Sequence, residues 1–431
     1  MIQHTIQSVE LLSRDELTNC QTEKLQLMLR EICGQNQFYT GKFEAAGIRP
    51  EDISSLDDLV NLPFTKKGEL MADQERNGFA ANLTYSMERY TRFHQTSGTT
   101  GKPLHVFDTN SSWDWWGSCW AQVLTGAGVT AEDRLFCAFS FGPFIGFWAS
   151  VEGAKQDGAL MIPGGGRSSI DRLHLMRDTQ STVLCCTPTY ALHLLEVARE
   201  HNFDLDDLKI HTTIHAGEPG ANIPATKKRI ESGWSSLCYD HAGASEIGAF
   251  GFESRNNRHH LSIIENEFIA EIIDPDSGEY AEEGTTGELV LTNLGRWGFP
   301  VIRYRTGDAV TVPPLAKTNK GLLSFDGGII GRSDDMVIVR GVNIFPSAID
   351  NFIRQYPEID EYRVTVDKTG SMDELRIEIE MAEGSDTASV QAALLRTVSS
   401  ELGVRPGLHS VSRGVLPRSE EKAKRFYVKG R

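Results

Sequence analysis

The segment with the most pointed chemistry is Thr96-Ser97-Gly98-Thr99-Thr100-Gly101-Lys102-Pro103, which follows the β-prone run YTRFHQ. Its glycines let backbone N–H groups turn toward one anion, and its hydroxyls and lysine add donors, so the loop suits a polyphosphate. It departs from the G-x-x-x-x-G-K-[ST] phosphate loop, because Thr96 stands where the first glycine belongs and Pro103 where the Ser or Thr belongs. The competing reading of such a loop is a solvated surface turn.

A second group is aromatic. In FSFGPFIGFW (139 to 148), Phe141, Phe144 and Phe147 alternate with glycines, Gly142 among them, and form either a flat apolar slot or ordinary core. Trp113, Trp116 and Trp120 repeat at helical spacing and read as one buried helix face. The seven cysteines (20, 33, 119, 137, 185, 186 and 238) are scattered and odd in number, mostly within apolar text such as LFCAF and VLCCTP. They read as reduced residues, mostly of the core.

The elements that must carry these groups follow from periodicity. Up to about residue 90, helical spacing of Leu25, Leu27, Leu29 and Ile32 precedes the turn-rich NLPFTKKGEL, predicting a helical cap region over 1–90. From Thr91, short β-rich runs alternate with helical ones (TVLCCT, TYALHLLEVAREHN, KIHTTIHA, KKRIES, SSLCYD), which predicts parallel strands with crossover helices and ligands at the strands' carboxyl ends. FIAEIID, GELVLTNL and VIRYRTGD form a β-rich run with no covering helix, an appended antiparallel subdomain. After Gly331 the pattern resets: VTV (364 to 366) and ELRIEIEM alternate with period two and SVQAALLRTVSSEL is helical. The expected fold class is α/β: a large N-terminal domain, 1–332, with mostly parallel sheets and a β-rich subdomain, and a small α+β C-terminal domain, 333–431, the boundary falling at GRSDD.

The 431 residues, 40% apolar and 24% charged, suit two globular domains with a large core. No apolar run reaches the roughly 18 residues that a membrane helix needs, and MIQHTIQSVELLSRDEL lacks a basic and then apolar leader, so a cytoplasmic protein is expected. With 43 basic and 59 acidic residues the net charge is −16, which repels nucleic acid, so a phosphate-bearing ligand needs a local site that overrides the global field.

Further blocks, CTPTYALH (186 to 193), HAGEPG (215 to 220), DHAGASE (240 to 246), FPVIRYRTGD (299 to 308), GRSDDMVIVRGVNIFPS (331 to 347) and LPRSEEKAKR (416 to 425), together resemble the adenylate-forming superfamily, and within it the phenylacetate-CoA ligase group. The resemblance runs from about residue 90 to the end. It implies ATP-dependent activation of a small aromatic carboxylic acid as acyl-AMP, then thioester formation with coenzyme A. By the same resemblance Ser97, Gly98, Thr99, Thr100, Gly101 and Lys102 wrap the ATP phosphates and Glu246 holds Mg²⁺, as suits a hard cation that bridges phosphate oxygens. Ala216, Gly217, Glu218 and Pro219 wall the adenine slot, with His241, Ala242 and Ser245 also on the nucleotide side; Asp308 accepts the ribose hydroxyls and Arg332 reaches ribose or phosphate. Lys422 bridges the attacking carboxylate and the α-phosphate, where positive charge meets developing negative charge. The residue before it is Glu421 where relatives have Gly, which leaves Lys424 as a rival.

The resemblance further implies a C-terminal domain that rotates between two half-reactions about a hinge at Asp334, after which Gly341 lines the pantetheine tunnel. The acid is expected among the 139–148 segment (Phe141, Gly142, Phe144, Phe147), CTPTY with its Tyr190, and the Gly217 loop. No Arg or Lys in the 139–148 segment is there to meet a second carboxylate, which disfavours diacids. Where relatives stack a Tyr on adenine this chain has Ala242, and the cysteines of relatives' zinc-like pattern are replaced by FES (252 to 254) and PPLAKTNKG (313 to 321). Cys238, His215, His241, His259 and His260 match no standard zinc spacing. Two other functions stay open: delivery of the acyl group to a carrier protein or of AMP to another acceptor, and a nucleotide sensor without catalysis. Retention of Glu246, Asp308 and Lys422 together argues against the sensor. A homodimer is a family-level expectation.

Overall fold

The computed structural model describes residues 9–96, 102–140, 142, 145, 148–314, 321–340, 342–369, 373–418 and 424–430. Helices α1 (Arg14–Ile32), α2 (Gln37–Ala46) and α3 (Lys67–Asn77) come first, then the hairpin β1 (Tyr90–Gln95) and β2 (His105–Thr109). Next come α4 (Asn110–Gly126), β3 (Arg134–Cys137), α5 (Trp148–Asp157), β4 (Leu160–Pro163), α6 (Ser169–Asp178), β5 (Val183–Cys186), α7 (Pro188–Glu200), β6 (Thr212–His215) and α8 (Pro224–Trp234). A run of strands follows: β7 (Leu237–Ala244), β8 (Gly248–Phe252), β9 (His260–Ile263), β10 (Phe268–Ile273), β11 (Thr286–Asn293), β12 (Tyr304–Thr311), β13 (Ser324–Asp326) and β14 (Gly331–Arg332). The last part holds β15 (Val337–Val339), β16 (Val342–Ile344), α9 (Pro346–Arg354), β17 (Ile359–Asp367), β18 (Glu374–Met381), α10 (Thr387–Leu402), β19 (Gly407–Val411) and β20 (Phe426–Lys429).

Local chemistry explains where the helices start. Ser13 and Glu16 form a reciprocal capping box at α1, and Thr187 accepts from the Tyr190 N–H with Pro188 at the first helical position of α7. In α1 Leu25, Leu29 and Ile32 are buried as expected, but Leu27 is 45% exposed and Met28 takes the inward place. The reason is angular: at about 100° per residue Leu27 falls opposite the Leu25–Leu29 stripe.

The largest sheet has the order β13-β9-β8-β7-β6-β5-β3-β4, and its β7-β6-β5-β3-β4 part is parallel, as the alternation of strands and helices predicts. The β-rich region folds as the antiparallel sheet β10-β11-β12-β14. The Trp113, Trp116 and Trp120 face of α4 is buried in the main core. A smaller sheet, β19-β18-β17-β20, packs with α9 and α10 around its own apolar cluster, which runs from Val337 to Val404 and is separate from the clusters of the large domain. No helix among the described residues is long and apolar enough to cross a membrane.

Candidate active site

Parallel pairing of β5, β6 and β7 places Cys186 beside His215 and His215 beside Asp240, so the loops after these three strands open side by side at their carboxyl ends. The turn after β7 carries Glu246. Gly248 (φ +136°) sends the chain back into β8 where a Cβ would meet the Trp115 and Phe268 rings at 2.7 and 2.8 Å. The turn is pinned from the β-rich subdomain: Arg296 Nη1 donates to the Ser245 carbonyl (2.8 Å) and Asn293 Nδ2 to the Ile247 carbonyl (3.0 Å).

Glu246 itself is buried. Its Oε1 accepts from the Tyr304 hydroxyl at 2.9 Å and lies 3.4 Å from Lys67 Nζ. Burial pushes this carboxyl up, but the Lys67 ammonium, its own backbone N–H and the Tyr304 hydroxyl outweigh that and hold it below the ordinary range, so it stays ionised. On β12, Asp308 follows Tyr304 across a bulge at which Gly307 takes φ +77°, and it feels the charge of Glu246. Its backbone N–H donates to Thr306 Oγ1 (2.9 Å), and Arg332, paired across from it on β14, brings Nη1 to 3.4 Å of Oδ1. Burial raises the Asp308 carboxyl to about 6, with Arg332 pulling it down and Glu246 pushing it up. Arg332 also forks onto Asp334 at 2.8 and 3.0 Å, so the expected hinge residue and the expected nucleotide arginine are one ion pair.

The donor set fits the expected ligands. Mg²⁺ binds through one or two carboxylates plus substrate phosphates and keeps several waters, which a single buried, ionised glutamate satisfies. A second carboxylate on β12 of the antiparallel sheet, with an arginine beside it, matches a hydroxyl-rich and phosphate-bearing ligand. The loop after β6 brings Ala216 and Pro219 beside Gly217 (φ +95°, a conformation that favours glycine), and Glu218 Oε1 accepts from the Thr189 N–H at 3.0 Å.

Residues 341–429 match the family of the AMP-binding enzyme C-terminal domain. The phenylacetate-coenzyme A ligase of Escherichia coli is 33% identical over 99% of this chain and 98% of its own length, and that of Thermus thermophilus 30% identical over 96% of each. The chain belongs to the phenylacetate-coenzyme A ligase family. As a member it is an AMP-forming acid–coenzyme A ligase. A crystal structure of 2-hydroxyisobutyryl-CoA ligase in its postadenylation state, bound to an acyl-AMP, superposes with a TM-score of 0.90 at 26% identity, over 97% of this chain and 90% of that one. The same enzyme in its thioesterification state, with coenzyme A, gives 0.72 at 27% identity, over 97% and 91%.

Against that family frame, some expected residues turn away from the site. His241 was expected on the nucleotide side, but it shares the face of β7 with Tyr239, packs at a tilt against Trp120 (ring centroids 4.3 Å apart) and directs Nδ1 to the Gly251 carbonyl at 2.7 Å. Burial lowers it to about 4, so it is a neutral core histidine. Tyr190 is likewise core instead of pocket wall: it is fully buried, shares a 2.9 Å hydrogen bond with Ser169 and lies under the Arg172 guanidinium. Lys102 is exposed and stands 3.4 Å from Glu75. Ala242 is buried and Gly142 accepts from Trp148 Nε1 at 3.0 Å. Ser97, Gly98, Thr99, Thr100, Gly101, Phe141, Phe144, Phe147, Gly341 and Lys422 lie outside the described residues. Among the described residues no three His, Cys, Asp or Glu side chains gather as a metal site, so Cys238, His215, His241, His259 and His260 do not converge.

Four contributors of this ligase site were not singled out in the sequence. Lys67 sits in the text that reads only as a turn before a helix. Tyr304 lies inside the quoted block FPVIRYRTGD, four residues before Asp308, and that nearness in sequence is its one signal, because a bulge at Gly307 breaks the strand's alternation between them. Arg296 and Asp108, a fully buried ion pair with bonds of 2.7 Å, carry no local signal, because their partnership spans 188 positions.

Proposed function

We propose that this ligase activates a small aromatic acid of the phenylacetate or benzoate kind. The observation that carries the reading of the site is the constellation around β12, where Lys67 and Tyr304 hold Glu246 ionised while Asp308 offers a second carboxylate beside Arg332. Glu246 would hold the magnesium, which would supply positive charge against the ATP phosphates. Asp308 accepts the ribose hydroxyls, Arg332 reaches the ribose or phosphate, and Ala216 to Pro219 wall the adenine. A carboxylate oxygen of the acid attacks the α-phosphorus and pyrophosphate leaves with the electrons of the broken P–O bond. Lys422 places its charge between the attacking carboxylate and the α-phosphate. In the second step the sulfur of coenzyme A attacks the acyl carbonyl, the thiol proton departs and AMP leaves. Asp334 is the hinge between the steps, and Gly341 lines the thiol's approach. ATP and coenzyme A are cytoplasmic metabolites, which places the enzyme there.

Support for an aromatic acid comes from the two bacterial relatives, both named for phenylacetate, and from the lack of any Arg or Lys in the 139–148 segment. The test is ATP- and coenzyme A-dependent release of AMP and pyrophosphate over a panel of arylacetates, benzoates, cinnamates, short fatty acids and 2-hydroxyisobutyrate. Turnover with an arylacetate or benzoate is the expected result. Preference for 2-hydroxyisobutyrate overturns the aromatic assignment. A single burst of pyrophosphate that coenzyme A does not relieve would instead point to a carrier protein as acceptor.

A further inference from the structure

Two arginines flank Lys422 in the sequence, Arg418 four residues before it and Arg425 three after. In the fold both reach α7 of the large domain. Arg425 Nη1 donates to Thr189 Oγ1 at 3.0 Å, and Arg418 Nε lies 3.5 Å from Glu196 Oε2. Thr189 and Glu196 are seven positions apart, two helical turns, and so lie on one face of α7.

Each arginine is also gripped from behind by a carboxylate of the small domain. Arg418 Nη1 stands 2.9 Å from the fully buried Glu380, and Arg425 forks onto Glu361, with Nη2 at 2.9 Å. Although burial pushes it up, Glu361 is held below the ordinary carboxylate range by Arg425 and Arg354, so this pair stays charged. The guanidinium groups are therefore fixed parts of the small domain that present their remaining N–H groups to α7. The apolar cluster of the small domain does not merge with that beneath α7, and further contacts across the boundary, Thr226 Oγ1 to Asp350 (2.9 Å) and Arg413 to Glu200 (3.1 Å), are polar as well. A polar boundary of this kind separates into water without exposing a core.

The chain as a whole superposes better on 2-hydroxyisobutyryl-CoA ligase in its postadenylation state, at a TM-score of 0.90, than in its thioesterification state, at 0.72. We infer that the Thr189–Glu196 face of α7 is the docking rail that seats the small domain for adenylation, through Arg425 and Arg418, and that the rail is released for thioester formation. Thr189 and Glu196 are positioning residues. The N–H of Thr189 is held by Glu218 of the expected adenine wall, so the rail is tied to the nucleotide loop as well. The inference rests on the two-step ligase reading.

Glu196→Lys tests it on the full-length enzyme, because Glu196 lies outside the binding site and the new ammonium opposes Arg418. The two halves are read separately: acid-dependent exchange of pyrophosphate into ATP, and thioester formation from ready-made phenylacetyl-AMP and coenzyme A. The expected result is an exchange rate lowered about tenfold by like-charge opposition, a thioester step unchanged, and Glu196→Gln between wild type and Glu196→Lys. Added salt should slow the exchange of wild type more than that of Glu196→Gln. Equal loss in both halves, as a general structural defect would give, overturns the inference, and so does no loss in either. Wild-type enzyme that shows no acid-dependent exchange overturns the two-step reading itself, a result distinct from either of these.

Discussion

The Tyr304 hydroxyl donates to Glu246 Oε1 at 2.9 Å, joining the β-rich subdomain to the turn at the carboxyl end of the main sheet. A hydrogen bond to a charged group contributes roughly 1.5–3 kcal/mol. Tyr304→Phe removes it, and the Glu246 carboxyl rises toward its ordinary value. Because a lowered carboxyl stabilises the fold above its unfolded value and that contribution is lost as pH falls through the folded one, the variant should be less stable at neutral pH and lose less on acidification. Urea unfolding at pH 7.5 and again below pH 4.5 checks this, and adenylation should fall about tenfold.

Asp308 gives the site an acid limb. With its carboxyl raised to about 6, the ionised form that accepts ribose hydroxyls is depleted below that pH, and KM for ATP should climb steadily there. Asp308→Asn should have a high and flat KM for ATP across the same range. The sign for stability is opposite to that for binding: a raised carboxyl opposes folding above pH 6 and ceases to do so as pH falls below its unfolded value. Asp308→Asn should therefore unfold at a higher temperature than wild type at pH 7.5.

The Arg296–Asp108 pair has both side chains fully buried, and Arg296 also holds the Ser245 carbonyl. Asp108→Ala leaves the guanidinium buried without its carboxylate, which should cost about 3–5 kcal/mol in denaturant unfolding. Enzyme that remains folded should need more Mg²⁺ for half-maximal exchange, because the turn carrying Glu246 loses its clamp.

The two lysines of SEEKAKR can be told apart by substitution. Lys424 is exposed and stands 5.4 Å over the Tyr427 ring, on the small domain's own strand β20. Lys424→Ala should leave pyrophosphate exchange within about twofold, as surface substitutions do. Lys422→Ala should lower exchange by about 10²-fold or more while thioester formation from ready-made acyl-AMP persists.

Composition, periodicity and motif order were enough to predict the α/β body, the antiparallel subdomain, the small α+β domain, and the segments whose ends carry Glu246, Asp308 and Arg332. Those features are local: a strand's alternation, a cap or a glycine turn is written within a few neighbouring residues. What a side chain faces is not local. His241 and Tyr190 sit in blocks that resemble a nucleotide and acid site, yet the strand face shared with Tyr239 and the packing of α7 against Ser169 and Arg172 turn both inward. Lys67 and Tyr304 converge on Glu246, and Arg296 on Asp108, across long stretches of chain. Arg418 and Arg425 likewise read as a basic tail until α7 is set against them. The sequence by itself determined which chemical groups the protein owns and the elements that carry them. Tertiary structure alone decided which of those groups meet, because the burial that fixes a carboxylate's charge and the partner that holds it come from segments far apart in the chain.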